Sequence, residues 1–127
     1  MTYTYDVAFG TAKRGVDRMM RDMGIELKGT GVSALSLWQG FTYTERAQEN
    51  LKKVEGMANQ LNSAVGSSPE FPGRVIAALA ADPAVHAKNG GCFINAELAA
   101  EYGVTDIDGR SIPSLREERG APIWQPA

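Results

Sequence analysis

Val32-Ser33-Ala34-Leu35-Ser36-Leu37-Trp38 is the stretch that most narrows what this chain can become. Its only polar side chains are two small serines, so a strand built from it can be covered on both faces, as strands of parallel sheets are. A helical stretch leads into it through the break Lys28-Gly29-Thr30-Gly31, and helix, glycine turn and strand form the repeating step of an α/β fold. The other strand signal is Cys92-Phe93-Ile94, after Asn89-Gly90-Gly91. Two strands make a poor independent sheet, and an apolar strand with open edges invites association. The expectation is therefore part of an α/β domain: few parallel strands with covering helices, completed by oligomerisation or by a partner.

From Gly10 to Leu27 the apolar residues Ala12, Val16, Met19, Met20, Met23 and Leu27 recur every three or four positions. That spacing predicts an amphipathic helix with Arg14, Asp17, Arg18, Arg21 and Asp22 turned mostly outward, the methionines filling a core or a subunit contact. Gly15 costs about 1 kcal/mol of helix propensity and is compatible with close packing, while Gly24 or Leu27 marks the end. Thr44 or Thr42 is expected to cap a second helix from Glu45 to about Ala64, with Leu51, Val54, Met57, Ala58, Leu61 and Val65 as its stripe. Gly66-Ser67-Ser68-Pro69 starts a third, capped by serine, which buries Phe71, Val75, Ile76, Leu79 and Ala80 and ends at Asp82-Pro83. Asn95 is the expected cap of a short helix over Ala96 to Tyr102. Asp106-Ile107-Asp108-Gly109 reads as a turn, Arg116 to Arg119 as a charged surface piece and Gly120 onward as extended. Residues 1–127 are read as one domain, with a lead-in at 1–8, a core at 9–103 and an extension at 104–127.

A net charge of -2 gives no electrostatic reason to expect nucleic acid or an anionic membrane as partner. No apolar run is long enough for a transmembrane helix, and the N-terminus has no signal-peptide pattern, so a cytoplasmic location is expected. The single cysteine, Cys92, is expected to be buried as a small hydrophobe, and His86 lacks metal ligands at a usual spacing. Asp106-x-Asp108-Gly109 lacks the later ligands and closing glutamate of a calcium loop.

Taken in order, Phe9-x-x-x-Lys13, Gly31 to Trp38, Gln39-Gly40-x-x-x-Thr44, Ser68-Pro-Glu-Phe71, Ala78 to Pro83, Glu97 to Gly103 and Thr105 to Arg110 resemble the C-terminal half of the short-chain dehydrogenase/reductase family. The resemblance runs from about Val7 to Leu115 and implies a truncated Rossmann-like fold. It implies a helix whose tyrosine, four residues before a lysine, acts as acid or base on the substrate. The lysine lowers that tyrosine's pKa and bonds the cofactor ribose, and a Pro-Gly turn with a later threonine borders the nicotinamide. By position Lys13, Gly40 and Thr44 match, while Phe9 stands in the tyrosine position and Gln39 in that of the proline. A phenylalanine has no ionisable proton to exchange. Tyr3 and Tyr5 are poorly placed to replace it, Tyr5 lying roughly 12 Å along a continuous helix from Lys13. Tyr43 is the better substitute.

The glycine-rich cofactor loop of the family has no counterpart here, since Lys28 to Gly31 ends a helix and precedes a strand, the reverse of a dinucleotide loop. No cofactor is therefore expected for the isolated chain, and NAD(P) only where a partner supplies the nucleotide-binding half. In the family the helix that matches residues 10–27 packs on its twin, so the resemblance implies a homodimer through those residues, the alternative being a complementary subunit. Three functional expectations follow. One is a subunit or small apolar ligand-binding module without stand-alone redox activity, its recess lined by Trp38, Phe41 and Tyr43. The second is a cofactor-independent isomerase, cyclase or dehydratase, with Lys13 and Tyr43 as candidate catalytic residues and Thr44 and Gln39 as further polar groups. The third is half of a split NAD(P)-dependent oxidoreductase.

Overall fold

A computed structural model describes residues 6–53 and 65–126. Tyr3, Tyr5 and the 54–64 part of the expected second helix, with Val54, Met57, Ala58 and Leu61, lie outside the described residues. Two compact units are present. The first contains the described residues up to Trp38, Ala80–Ile94 and those from Leu115 onward; the second contains those of Gln39–Leu79 and Asn95–Ser114.

The first unit is built on α1 (Val7–Glu26), β1 (Ser36–Trp38) and β2 (Cys92–Ile94). The two strands are parallel, with Ser36 opposite Cys92, Leu37 opposite Phe93 and Trp38 opposite Ile94. Among the described residues the sheet has these two strands, as the strand count predicted. The helix begins inside the expected lead-in because Asp6 caps it, its Oδ1 accepting from the Phe9 amide at 2.7 Å. It also runs past Gly24. A Cβ there would overlap the Gly90 Cα, so this glycine serves close packing rather than termination. Asn89 stitches the same region: its Nδ2 donates to the Gly24 carbonyl at 2.7 Å and its Oδ1 accepts from the Ala34 amide at 2.9 Å.

The face of α1 turned inward differs from expectation. Its buried residues are Asp17 and Gly24, while Val16, Met19 and Met23 are 45%, 51% and 39% exposed. Within this chain the apolar stripe is not core. Gly15 likewise meets no close neighbour, since a Cβ there would find nothing within 4 Å. The strand at 32–38 is regular only over Ser36–Trp38, and its buried positions are Ala34 and Ser36 rather than the leucines.

The second unit contains α2 (Glu45–Lys53), α3 (Glu70–Ala81) as far as Leu79, and α4 (Asn95–Glu101). Phe71, Val75, Leu79, Leu98 and Ala99 supply its buried apolar side chains. Ile76, expected in that set, is 53% exposed. Thr44 caps α2, its Oγ1 accepting from the Ala47 amide at 3.2 Å. The other two expected caps work differently. The Ser68 hydroxyl donates to Asp106, and the Asn95 side chain is fully buried with neither amide atom bonded among the described residues. The charged piece at Arg116–Arg119 forms a short helix, α5, in the first unit. Among the described residues no helix is long and apolar enough to cross a membrane.

Candidate functional site

In the first unit, Phe9 and Lys13 share one side of α1 because four residues make about one turn. The Lys13 Nζ stands 5.5 Å from the Phe9 ring centroid, and both side chains are exposed. The geometry is that of a cation over an aromatic face.

One turn beyond Lys13, Asp17 is the polar centre of the unit. It is 3% exposed and accepts from the Ser36 hydroxyl at 2.7 Å and from the Trp38 indole N–H at 3.1 Å. Arg14 adds charge at 3.7 Å, and its guanidinium lies 5.7 Å from the Trp38 ring centroid. Cys92 is buried beside this network; burial first, then the negative Asp17, pushes its thiol up to about 11. Helical periodicity places Asp17 outward with the other charges, and the structure buries it instead. A signal was available in Ser36 and Trp38, donors two apart and hence on one face of a strand. The Trp38 indole is thus committed to a buried carboxylate.

In the second unit Gln39 and Gly40 are exposed, and Gly40 has φ 77°, a left-handed value that glycine accommodates without strain. The loop is then pinned to Ser67: the Tyr43 amide donates to the Ser67 carbonyl at 2.9 Å and the Ser67 amide to the Phe41 carbonyl at 3.0 Å. Phe41 and Tyr43 meet edge to face at 5.2 Å. A Cβ at Gly66 would overlap the Tyr43 ring, so glycine is what admits the ring there.

Tyr43 lines a surface cavity of about 310 Å³ together with Gln48, Glu70, Ile107, Asp108 and Arg110, beside the Ser68–Asp106 pair. Of the three aromatics expected to frame a recess, Tyr43 alone lines this cavity, where polar and charged side chains stand beside Tyr43, Pro69 and Ile107. Asp106, 2% exposed, organises it, accepting from the Ser68 amide at 2.8 Å, the Ser68 hydroxyl and the Ile107 amide at 2.8 Å. Burial alone would raise this carboxyl. The Ser68 hydroxyl and the two amides outweigh burial and hold it below the usual carboxylate range. Asp108 is lowered by its bond to Arg110. In the sequence Asp106 shows only as a turn residue, because its partner Ser68 is 38 positions away. Among the described residues no group of three or more acidic, histidine or cysteine side chains is placed to hold a metal.

Phe9, Lys13 and Trp38 thus belong to one unit, and Gln39, Gly40, Phe41, Tyr43 and Thr44 to the other. A two-stranded parallel sheet together with several helices is an α/β composition compatible with part of a Rossmann-like domain. No family model matches the chain. It is, however, 34% identical over 118 aligned positions to the human protein "Dehydrogenase/reductase SDR family member 1", with 88% of this chain covered. The mouse protein of the same name is 33% identical over the same length. These matches support a short-chain dehydrogenase/reductase relationship. The chain spans 38% of the length of each of these relatives.

Proposed function

We propose that this chain is a short-chain dehydrogenase/reductase-derived subunit that performs no nicotinamide-dependent redox chemistry on its own. The observation that carries this reading is the pair on α1. The ring 5.5 Å from the Lys13 ammonium is that of Phe9, in the position where the family holds its tyrosine. A lysine there can lower the pKa of a phenol, but Phe9 has no hydroxyl to ionise. The contact is an exposed cation–π pair worth about 0.5–1 kcal/mol.

Association is the second part of the proposal. Val16, Met19 and Met23 form an exposed apolar row on α1, and β1 has one strand neighbour among the described residues. A second copy packed on α1 would cover the row, and a complementary subunit could extend the sheet beyond β1 and supply a nucleotide-binding half. Either would operate in a reducing cytoplasm, where Cys92 stays a thiol. Titration of the purified protein with NADH and NADPH, followed by cofactor fluorescence, tests the first part. No saturable binding is expected, and tight binding by this chain alone overturns it. Light scattering over a wide concentration range tests the second, which a strictly monomeric protein would refute.

The cavity beside Tyr43 favours one further reading, a cofactor-independent reaction on a small molecule that carries polar groups. Its phenol and the Glu70 carboxylate offer a proton donor and a proton acceptor in one lining. A thermal-shift screen with polar and apolar compounds should return polar hits that disappear in Tyr43→Phe. Apolar hits that survive this change would place the ligand elsewhere.

A further inference from the structure

The 120–126 segment has no regular secondary structure, yet it is held against the first unit. Pro122 within it is buried. The Ser36 amide donates to the Gly91 carbonyl at 3.0 Å, which turns that residue toward β1. By the alternation of a strand, the next amide, that of Cys92, points away from β1. That outward amide donates to the Trp124 carbonyl at 3.1 Å. Trp124 therefore occupies the place a further strand would take on the outer edge of β2.

Two arginines of α1 hold the segment there. Arg21 Nη1 donates to the Gln125 carbonyl at 2.5 Å, and the Arg18 guanidinium lies 5.9 Å from the Trp124 ring centroid. Arg18 is itself oriented by Asp22, to which its Nε donates at 2.8 and 2.9 Å. The strand beneath, Cys92-Phe93-Ile94, is apolar throughout, the kind of edge that pairs with other molecules when left open.

We propose that residues 120–126 form a displaceable guard on the outer edge of β2, which keeps that edge from adding a strand of a second copy of this chain. Among the described residues its polar anchorage is narrow, one strand-edge backbone bond and two arginines of the neighbouring helix, beside the buried Pro122. A strand paired along its length would be held at every second residue. The guard is thus the part of the first unit that opens before the sheet does.

The test compares two variants of the full sequence, one lacking residues 121–127 and one carrying Arg21→Ala with Trp124→Ala. Amide exchange at Cys92 is followed by mass spectrometry, and mean mass by light scattering. At low concentration the Cys92 amide is expected to exchange at least tenfold faster in both. Protection should return as concentration rises, together with growth in mean mass. The double variant keeps the backbone of the guard and removes only its anchors, so it decides the matter if the deletion fails to fold. Adding Met19→Glu disables association through the α1 stripe and should leave the new growth intact. Unchanged Cys92 exchange in the double variant, faster exchange at constant mass, or growth abolished by Met19→Glu would each overturn the proposal.

Discussion

Asp17 in the first unit and Asp106 in the second are both carboxylates shut away from solvent, and they are held in opposite ways. Asp17 takes side-chain donors, the Ser36 hydroxyl and the Trp38 indole, which lie 19 and 21 positions along the chain. Asp106 takes two main-chain amides, those of Ser68 and Ile107, together with the Ser68 hydroxyl. Side-chain donors can be deleted along with their acceptor; main-chain donors cannot. A buried carboxylate that serves amides is therefore the harder one to replace.

The largest effect should come from Asp106→Ala, which strands two amides and a hydroxyl and should cost about 3–4 kcal/mol in a urea melt followed by circular dichroism. Asp17→Ala should cost less, about 2–3 kcal/mol, and adding Ser36→Ala should recover about 1 kcal/mol because the orphaned hydroxyl leaves with it. Both tryptophans, Trp38 and Trp124, lie in the first unit, so fluorescence follows that unit specifically. Adding Ser68→Ala to Asp106→Ala removes the orphaned hydroxyl and leaves the two amides stranded, so that pair should stay the less stable one; if it proves as stable as the Asp17 pair, the distinction between the two carboxylates fails.

Acid should test Asp106 more gently. The folded pKa of Asp106 is depressed, so its contribution is complete above the unfolded value near 4 and is lost as pH falls through the lower folded value. Stability measured from about pH 5 down to pH 2 should fall, and Asp106→Asn should flatten that slope. A slope untouched by the substitution would assign the acid response to other carboxylates.

Two glycines of α1 sharpen the picture of which face of the helix is used. Gly24→Ala forces a Cβ into Gly90 and should destabilise by about 1–3 kcal/mol. Gly15→Ala meets open space and should stabilise by about 0.5–1 kcal/mol. A loss at Gly15 in material that self-associates would show a second molecule lying close there. The smallest effect is expected for Phe9→Tyr. The ring is 44% exposed, so an added hydroxyl reaches water and stability should change by less than about 0.5 kcal/mol. A larger loss would mean that the ring edge is covered when the protein is at work.

Much of this architecture was legible in the residues. Periodicity located α1 and α3, the Asn-Gly-Gly run before Cys92 located β2, Thr44 marked the start of α2, and Asp-Gly marked the 106–109 turn. These are local signals, carried by residues within one or two turns of each other. The site was less legible. The Phe9–Lys13 pair follows from helical spacing, whereas the bond from Trp38 to Asp17 does not. Glu70, Asp108 and Arg110 were not associated with Tyr43, because their meeting depends on a fold that returns residues 106–110 to the start of α3.

The sequence alone shows that α1 is amphipathic, that two strands follow glycine breaks, and that the position four residues before Lys13 holds no phenol; the shortness of β1 came from the structure. Only the tertiary structure decided which side of α1 turns inward. The inward side is the one with Asp17 and Gly24, because a carboxylate can be buried where a strand offers Ser36 and Trp38 as donors, and a glycine where another glycine approaches. An apolar stripe records that a helix favours cover; it does not record what provides it. Here the unit's own packing is satisfied through the polar side, and the methionine row stays outward.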